Sequence, residues 1–105
     1  TALDWYQFWV ALRTHKLLGE QMTRELLHPH VQTSDSPPNT HYGYGVWIHQ
    51  PEQQLPAYFV EGFDPGVAMF SSVYPDQETI LTVLGNATGA VWPVIKLFQS
   101  TFDLV

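Results

Sequence analysis

The chain has no cysteine, so disulfide cross-links and thiolate zinc sites are excluded, and cysteine usage says nothing about redox compartment. Positive charge is scarce as well. Four Lys plus Arg (Arg13, Lys16, Arg24 and Lys96) stand against ten Asp plus Glu, for a formal net charge of −6. Nucleic-acid binding draws on clustered cations that release counterions from phosphates, and none cluster along this sequence. A nucleic-acid partner is therefore not expected, and an anionic membrane surface is disfavoured for the same reason. No apolar run approaches the ~20 residues needed to span a bilayer, so membrane insertion is not expected either. No basic-plus-apolar leader is visible; the chain opens directly on a helical pattern, as an excised or processed piece would. Charged residues make up only 13% of the chain, which points to surface meant to be covered.

What is present is aromatic. Four Trp, five Tyr and six Phe in 105 residues have to be buried, internally or against a partner. The length allows one domain with a single modest core. Thr1 and Asp4 form a capping-box-like pair ahead of a first helix in which Leu3, Tyr6 and Val10 recur, joined by Trp5, Phe8, Trp9 and Leu12. That apolar face is wider than an amphipathic stripe, so this helix is expected to be covered on more than one side. A second helix is expected over residues 19–27, with Leu18, Met22 and Leu26 on one face, and Pro29 limits it. Residues 31–40 (VQTSDSPPNT) read as an exposed loop.

Strands are expected at residues 42–49 (YGYGVWIH, weakened by two glycines), 57–62, 67–74 and 79–84, separated by turns at Pro51, Asp64-Pro65-Gly66 and Pro75. The segment TILTVL at 79–84 is the strongest strand signal and suits a strand buried on both faces. Val91, Ile95, Phe98 and Phe102 then space a terminal helix that should dock on the sheet through those four residues, with Pro93 in its first turn. Short turns between successive strands make the sheet antiparallel. The class is α+β: a helical pair over residues 1–30, then an antiparallel meander and a terminal helix over residues 42–105 of one domain.

The ordered series of segments resembles one family. Residues 60–86, VEGFDPGVAMFSSVYPDQETILTVLGN, are similar to the stretch of the serine β-lactamase and penicillin-binding protein family that runs from its Lys/His-x-Gly strand motif through a turn and into a β-branched strand. Tyr42-Gly43-Tyr44-Gly45 resembles that family's YGxGW strand, and residues 1–31 resemble its helix pair. The resemblance covers nearly the whole chain and implies the C-terminal part of a domain of the class C β-lactamase, DD-peptidase and esterase kind. It also implies a bacterial parent and a cell-envelope or extracellular setting. The family's Ser-x-x-Lys nucleophile and base and its Tyr-x-Asn loop are absent here. Ser34, Ser36, Ser71, Ser72 and Ser100 have no Lys three residues on, and neither Tyr42 nor Tyr44 begins a Tyr-x-Asn. No catalytic residue is thus expected in this chain, and no activity from it alone; peptide, β-lactam or ester substrates belong to a complete parent. By resemblance Val60, Glu61 and Gly62 occupy the substrate-lining strand motif, and the backbone N–H of Phe63 occupies the oxyanion-hole position. Val60 stands where the family usually has Lys or His, so the cation for a substrate carboxylate is missing and Glu61 would repel one. A non-catalytic ligand- or partner-binding module on the same fold is the alternative.

Other residues invite sharper readings than they support. His28-Pro29-His30 resembles half a metal site, but zinc wants three or four convergent ligands, and a helix-end turn explains the pair; no metal and no cofactor is expected. His15, His41 and His49 read as surface residues. Glu61 reads as a solvated strand-edge carboxylate. Tyr42, Tyr44 and Trp47 suit a stacking platform, although packing of the sheet against a helix accounts for them, and Trp5, Phe8 and Trp9 suit a partner-binding face. Asn86-Ala87-Thr88 matches an N-glycosylation acceptor, a common match. The implied partners are the rest of the parent domain and a second copy of the chain, paired through the uncharged edge from Thr79 to Leu84.

Overall fold

The computed structural model describes residues 1–33 and 38–104. The capping box forms: the Thr1 hydroxyl accepts the Asp4 N–H and the Asp4 carboxylate reaches back to Thr1, opening helix α1 (Ala2–Arg13). Helix α2 (Glu20–Leu26) stops short of Pro29. Six strands follow: β1 (Val31–Gln32), β2 (Thr40–Tyr42), β3 (Trp47–His49), β4 (Ala57–Asp64), β5 (Val67–Tyr74) and β6 (Thr79–Gly85), closed by helix α3 (Val91–Thr101). Every strand pairs antiparallel with its sequence neighbour, in the spatial order β1 to β6. The class is α+β, with the sheet, the helical pair and the terminal helix that the pattern implies.

Register sets the two faces. Trp9 and Leu12 of α1 pack on Val46 and Val73, with Tyr58, Val60 and Ile80 beside them. Val91 and Ile95 of α3 pack on Ala57, Ala68, Phe70, Tyr74 and Leu81. Helices thus cover the sheet from both sides, and β6 meets α1 on one face and α3 on the other. Between α1 and the sheet runs a buried polar relay: the Trp9 indole N–H donates to the Ser71 hydroxyl at 2.8 Å, and Ser71 shares a 2.8 Å hydrogen bond with Thr82. Burying the Trp9 indole and the Ser71 hydroxyl leaves polar groups that must find partners, and both find one here.

Four expectations change. Residues 42–49 are not one strand but the hairpin of β2 and β3, because Gly45 adopts φ +80° and the Gly43 N–H closes the turn on the Val46 carbonyl at 2.8 Å. A Cβ at Gly43 would collide with the Leu26 and His28 carbonyls at the end of α2, so only glycine fits that approach. Residues 31–40 are not all loop: β1 and the start of β2 lie within them, while residues 34–37, with Ser34 and Ser36, fall outside the described residues. Helix α1 is covered on one side only, with Leu3 and Tyr6 exposed. Finally, α3 docks through Val91 and Ile95 with Gln99 next along, its side-chain amide donating to the Tyr74 hydroxyl at 2.9 Å. Phe98 and Phe102 stack on each other in solvent instead, 41% and 59% exposed.

That rotation of α3 has a measurable consequence. Ile95→Ala removes a side chain that is 4% exposed and is expected to cost about 2–5 kcal/mol, whereas Phe98→Ala should cost well under half as much. Urea titration followed by far-UV circular dichroism distinguishes them; equal losses would mean that Phe98 faces inward.

Candidate functional site

The site-bearing strand is β4. It is eight residues long, but β3 pairs only with its first part and its register ends at Trp47 opposite Phe59. From residue 60 to 64, β4 is held by β5 alone, with Val60 opposite Ser71, Glu61 opposite Phe70, Gly62 opposite Met69 and Phe63 opposite Ala68. Along this stretch no strand among the described residues occupies the other edge, so the backbone there is open to a chain laid alongside it.

The four residues singled out by sequence are adjacent on that open segment, but their side chains diverge. Val60 turns towards α1 and packs on the Trp9 cluster. Glu61 turns to the opposite face, where it lines a cleft. It is exposed on average, yet the cleft wall takes enough water from its carboxyl to raise the pKa. Gly62 meets nothing that a Cβ would touch, so the space above it is open. Phe63 is 69% exposed.

The cleft beside Glu61 has a volume of about 730 Å³ and lies between α3 and the β2–β5 face. Its wall is aromatic: Trp47 stacks on Phe59 (6.2 Å between centroids) and Phe59 on Phe70 (5.7 Å), while Tyr42 meets Trp47 edge-on. Trp92 and Lys96 of α3 close the opposite side. Set into this wall are the hydroxyl of Ser72, 1% exposed, and Nδ1 of His49; among the described residues neither has a hydrogen-bond partner. Burial lowers the His49 pKa, which keeps its imidazole neutral at neutral pH. Apolar walls with a few polar groups facing inward are the usual make-up of a ligand cleft.

His49 and Ser72 are what sequence reasoning missed. His49 reads as a surface residue, but it lies half-buried on β3, as His41 does on β2; His15 is exposed as expected. The missed signal was alternation, since Trp47 and His49 share a face of β3. The other candidates separate in space. His30 Nε2 donates to the Glu25 carbonyl at 2.7 Å and the ring stacks on Tyr44, with His28 edge-on to it, an arrangement that closes the end of α2. Among the described residues no three His, Asp or Glu side chains are grouped to hold a metal ion. Tyr44 and Tyr42 are partly exposed, Trp9 is buried, and Phe8 and Trp5 lie at the surface of α1. Thr88 of the Asn-x-Thr triplet has a structural use: its hydroxyl takes the Gly66 N–H at 2.8 Å and donates to the Asp64 carbonyl at 3.1 Å, fixing the β4–β5 turn.

Neither a family model nor a curated protein matches the chain. Among solved structures, the crystal structure of a penicillin binding protein from Bacillus halodurans matches with a TM-score of 0.88 and 39% sequence identity, over 96% of this chain and 30% of that one. The chain is therefore similar to a part of that protein and spans less than a third of its length.

Proposed function

We propose that the chain is the C-terminal portion of a serine β-lactamase-like domain of the penicillin-binding, DD-peptidase or esterase kind, and that the open segment of β4 is its substrate-lining strand. The observation that carries this reading is the unpaired edge of β4 at residues 60–64 beside the Glu61 cleft, in a chain 39% identical to a penicillin binding protein over nearly its whole length. In a complete protein, an acyl substrate would lie along β4 and take a backbone hydrogen bond from Phe63. Oxyanion stabilisation of that sort depends on the backbone and tolerates any side chain. The nucleophile and base come from a Ser-x-x-Lys element outside these residues, so the chain alone has nothing to acylate. The edge of β6 is the second seam of the proposal, where a strand from the rest of the protein pairs.

One observation favours the second reading, a binding module without catalysis. Val60 occupies the position of the family's cation and is packed into the Trp9 cluster, so the strand itself presents only the Glu61 carboxylate, and the cleft's lysine, Lys96, stands across it on α3. A strand so arranged repels a substrate carboxylate laid along it. Fluorescent penicillin decides between the readings. The chain alone should remain unlabelled, and a complete protein should be labelled at a serine outside residues 1–105. A labelled Ser71, Ser72 or Ser100, found by peptide mass mapping, would contradict the proposal, and an unlabelled complete protein would select the binding module.

A further inference from the structure

A second cleft, of about 440 Å³, lies on the other face of the sheet, where the end of α1 and helix α2 meet the loop between β3 and β4. Its charge runs against that of the chain. Ten carboxylates outnumber four Lys plus Arg overall, yet Arg13, Arg24, His15 and His28 all line this cleft and no Asp or Glu does. They come as two local pairs, Arg13 with His15 at the end of α1 and Arg24 with His28 at the end of α2, which the fold brings to one cleft. Arg13 meets no carboxylate among the described residues; Arg24 meets Glu20 at 3.4 Å in an exposed pair, which holds it weakly.

The rest of the cleft suits an organic anion rather than a bare ion. Leu27, Ile48 and Pro56 give it an apolar floor, and Tyr58 sets a hydroxyl beside Arg13. Burial raises the Tyr58 pKa against the opposing effect of Arg13, so the phenol stays a neutral donor. The C-terminal carbonyls of α1 would repel an anion, but three of them are occupied. Val10 accepts from both the N–H and the hydroxyl of Thr14, Leu12 from the His15 N–H and Ala11 from the Lys16 N–H. Two guanidinium forks offer more donors than a single carboxylate can take and match the three oxygens and double charge of a phosphate monoester.

We infer that this cleft binds a compact organic phosphate, its phosphoryl group held by Arg13 and Arg24 and its apolar body resting on Leu27, Ile48 and Pro56. The site lies across the sheet from the β4 edge and does not depend on the acyl-transfer reading. Phenyl phosphate, titrated into the ¹⁵N-labelled chain at constant ionic strength, tests it. Saturable shifts are expected at residues 13–15, 23–28 and 58, with affinity at least ~10-fold above that for inorganic phosphate, because only the ester reaches the apolar floor. Arg13→Gln and Arg24→Gln should each weaken binding about fivefold with the spectrum otherwise preserved, whereas Lys16→Gln, an equal charge change outside the cleft, should leave it unchanged. No saturable shift at millimolar phenyl phosphate would overturn the inference. So would equal weakening by Lys16→Gln, which would reduce the effect to net charge.

Discussion

Replacing Trp9 with alanine is expected to abolish the cooperative unfolding transition of the chain or bring its midpoint close to zero denaturant. Trp9 is fully buried and is the main anchor of α1 on the sheet. Truncating a buried Trp to Ala costs about 3–5 kcal/mol, against a total of about 5–15 kcal/mol for ordinary domains. This sheet is paired along one side only of β6 and for part of β4, so its reserve lies at the lower end. The indole also supplies the hydrogen bond that Ser71 receives at 2.8 Å. Trp9→Phe separates the two contributions. It keeps most of the packing and should cost about 1–2 kcal/mol, since Ser71 retains Thr82 as a partner. Urea unfolding monitored by circular dichroism measures both variants. A Trp9→Ala midpoint near that of the unaltered chain would mean that α1 is not docked as described.

The second large effect concerns assembly. The faces of β6 are covered by α1 and α3, but its outer edge has no strand partner among the described residues. No charge lies between Thr79 and Gly85, and the nearest, Glu78, is in the preceding turn with φ +49°. Exposed edges of this composition pair with other chains unless a charge interrupts them. The proposed outcome is concentration-dependent self-association, which the net charge of −6 opposes without preventing. Leu84, 46% exposed near the end of the strand, is the place to intervene. Leu84→Lys should raise the concentration at which half the chain is dimeric by about tenfold or more. Size-exclusion chromatography with light scattering over a concentration series reads this directly. A strictly monomeric unaltered chain at high concentration, with slow amide exchange along the outer edge of β6, would show that the edge is already occupied.

Much of this architecture is legible in the sequence where period and punctuation agree. Residues 67–74 alternate well enough for a strand, end at Pro75 and form β5 with the expected bounds; β6 differs by one residue. Legibility fails where one pattern serves two structures. Helix α3 has a broad apolar arc, so Val91, Ile95, Phe98 and Phe102 make an acceptable stripe, but the stripe that docks continues from Ile95 to Gln99 and its Tyr74 partner. Tyr42-Gly43-Tyr44-Gly45 has the aromatic content of a strand, and what breaks it is the closeness of α2 to Gly43, a tertiary fact. At the site, the alternation of β4 foretells that Val60 and Glu61 face opposite sides. The cleft itself is not foretold, since Trp47, His49, Phe59, Ser72, Trp92 and Lys96 come from four elements.

The strict neighbour-to-neighbour order of the strands also governs timing. Each hairpin can close as soon as its second strand exists, which favours early formation of β4 with β5 across the turn at Pro65 and Gly66. Helix α1 has no such local partner: the hydroxyl that receives the Trp9 indole N–H lies 62 positions downstream, and the strand flanking it is later still. At about 5–20 residues per second of synthesis, α1 waits several seconds after its own synthesis for the strand that carries this hydroxyl. In refolding, the closure of α1 over the sheet is the contact of highest sequence separation, and it is expected to follow the hairpins.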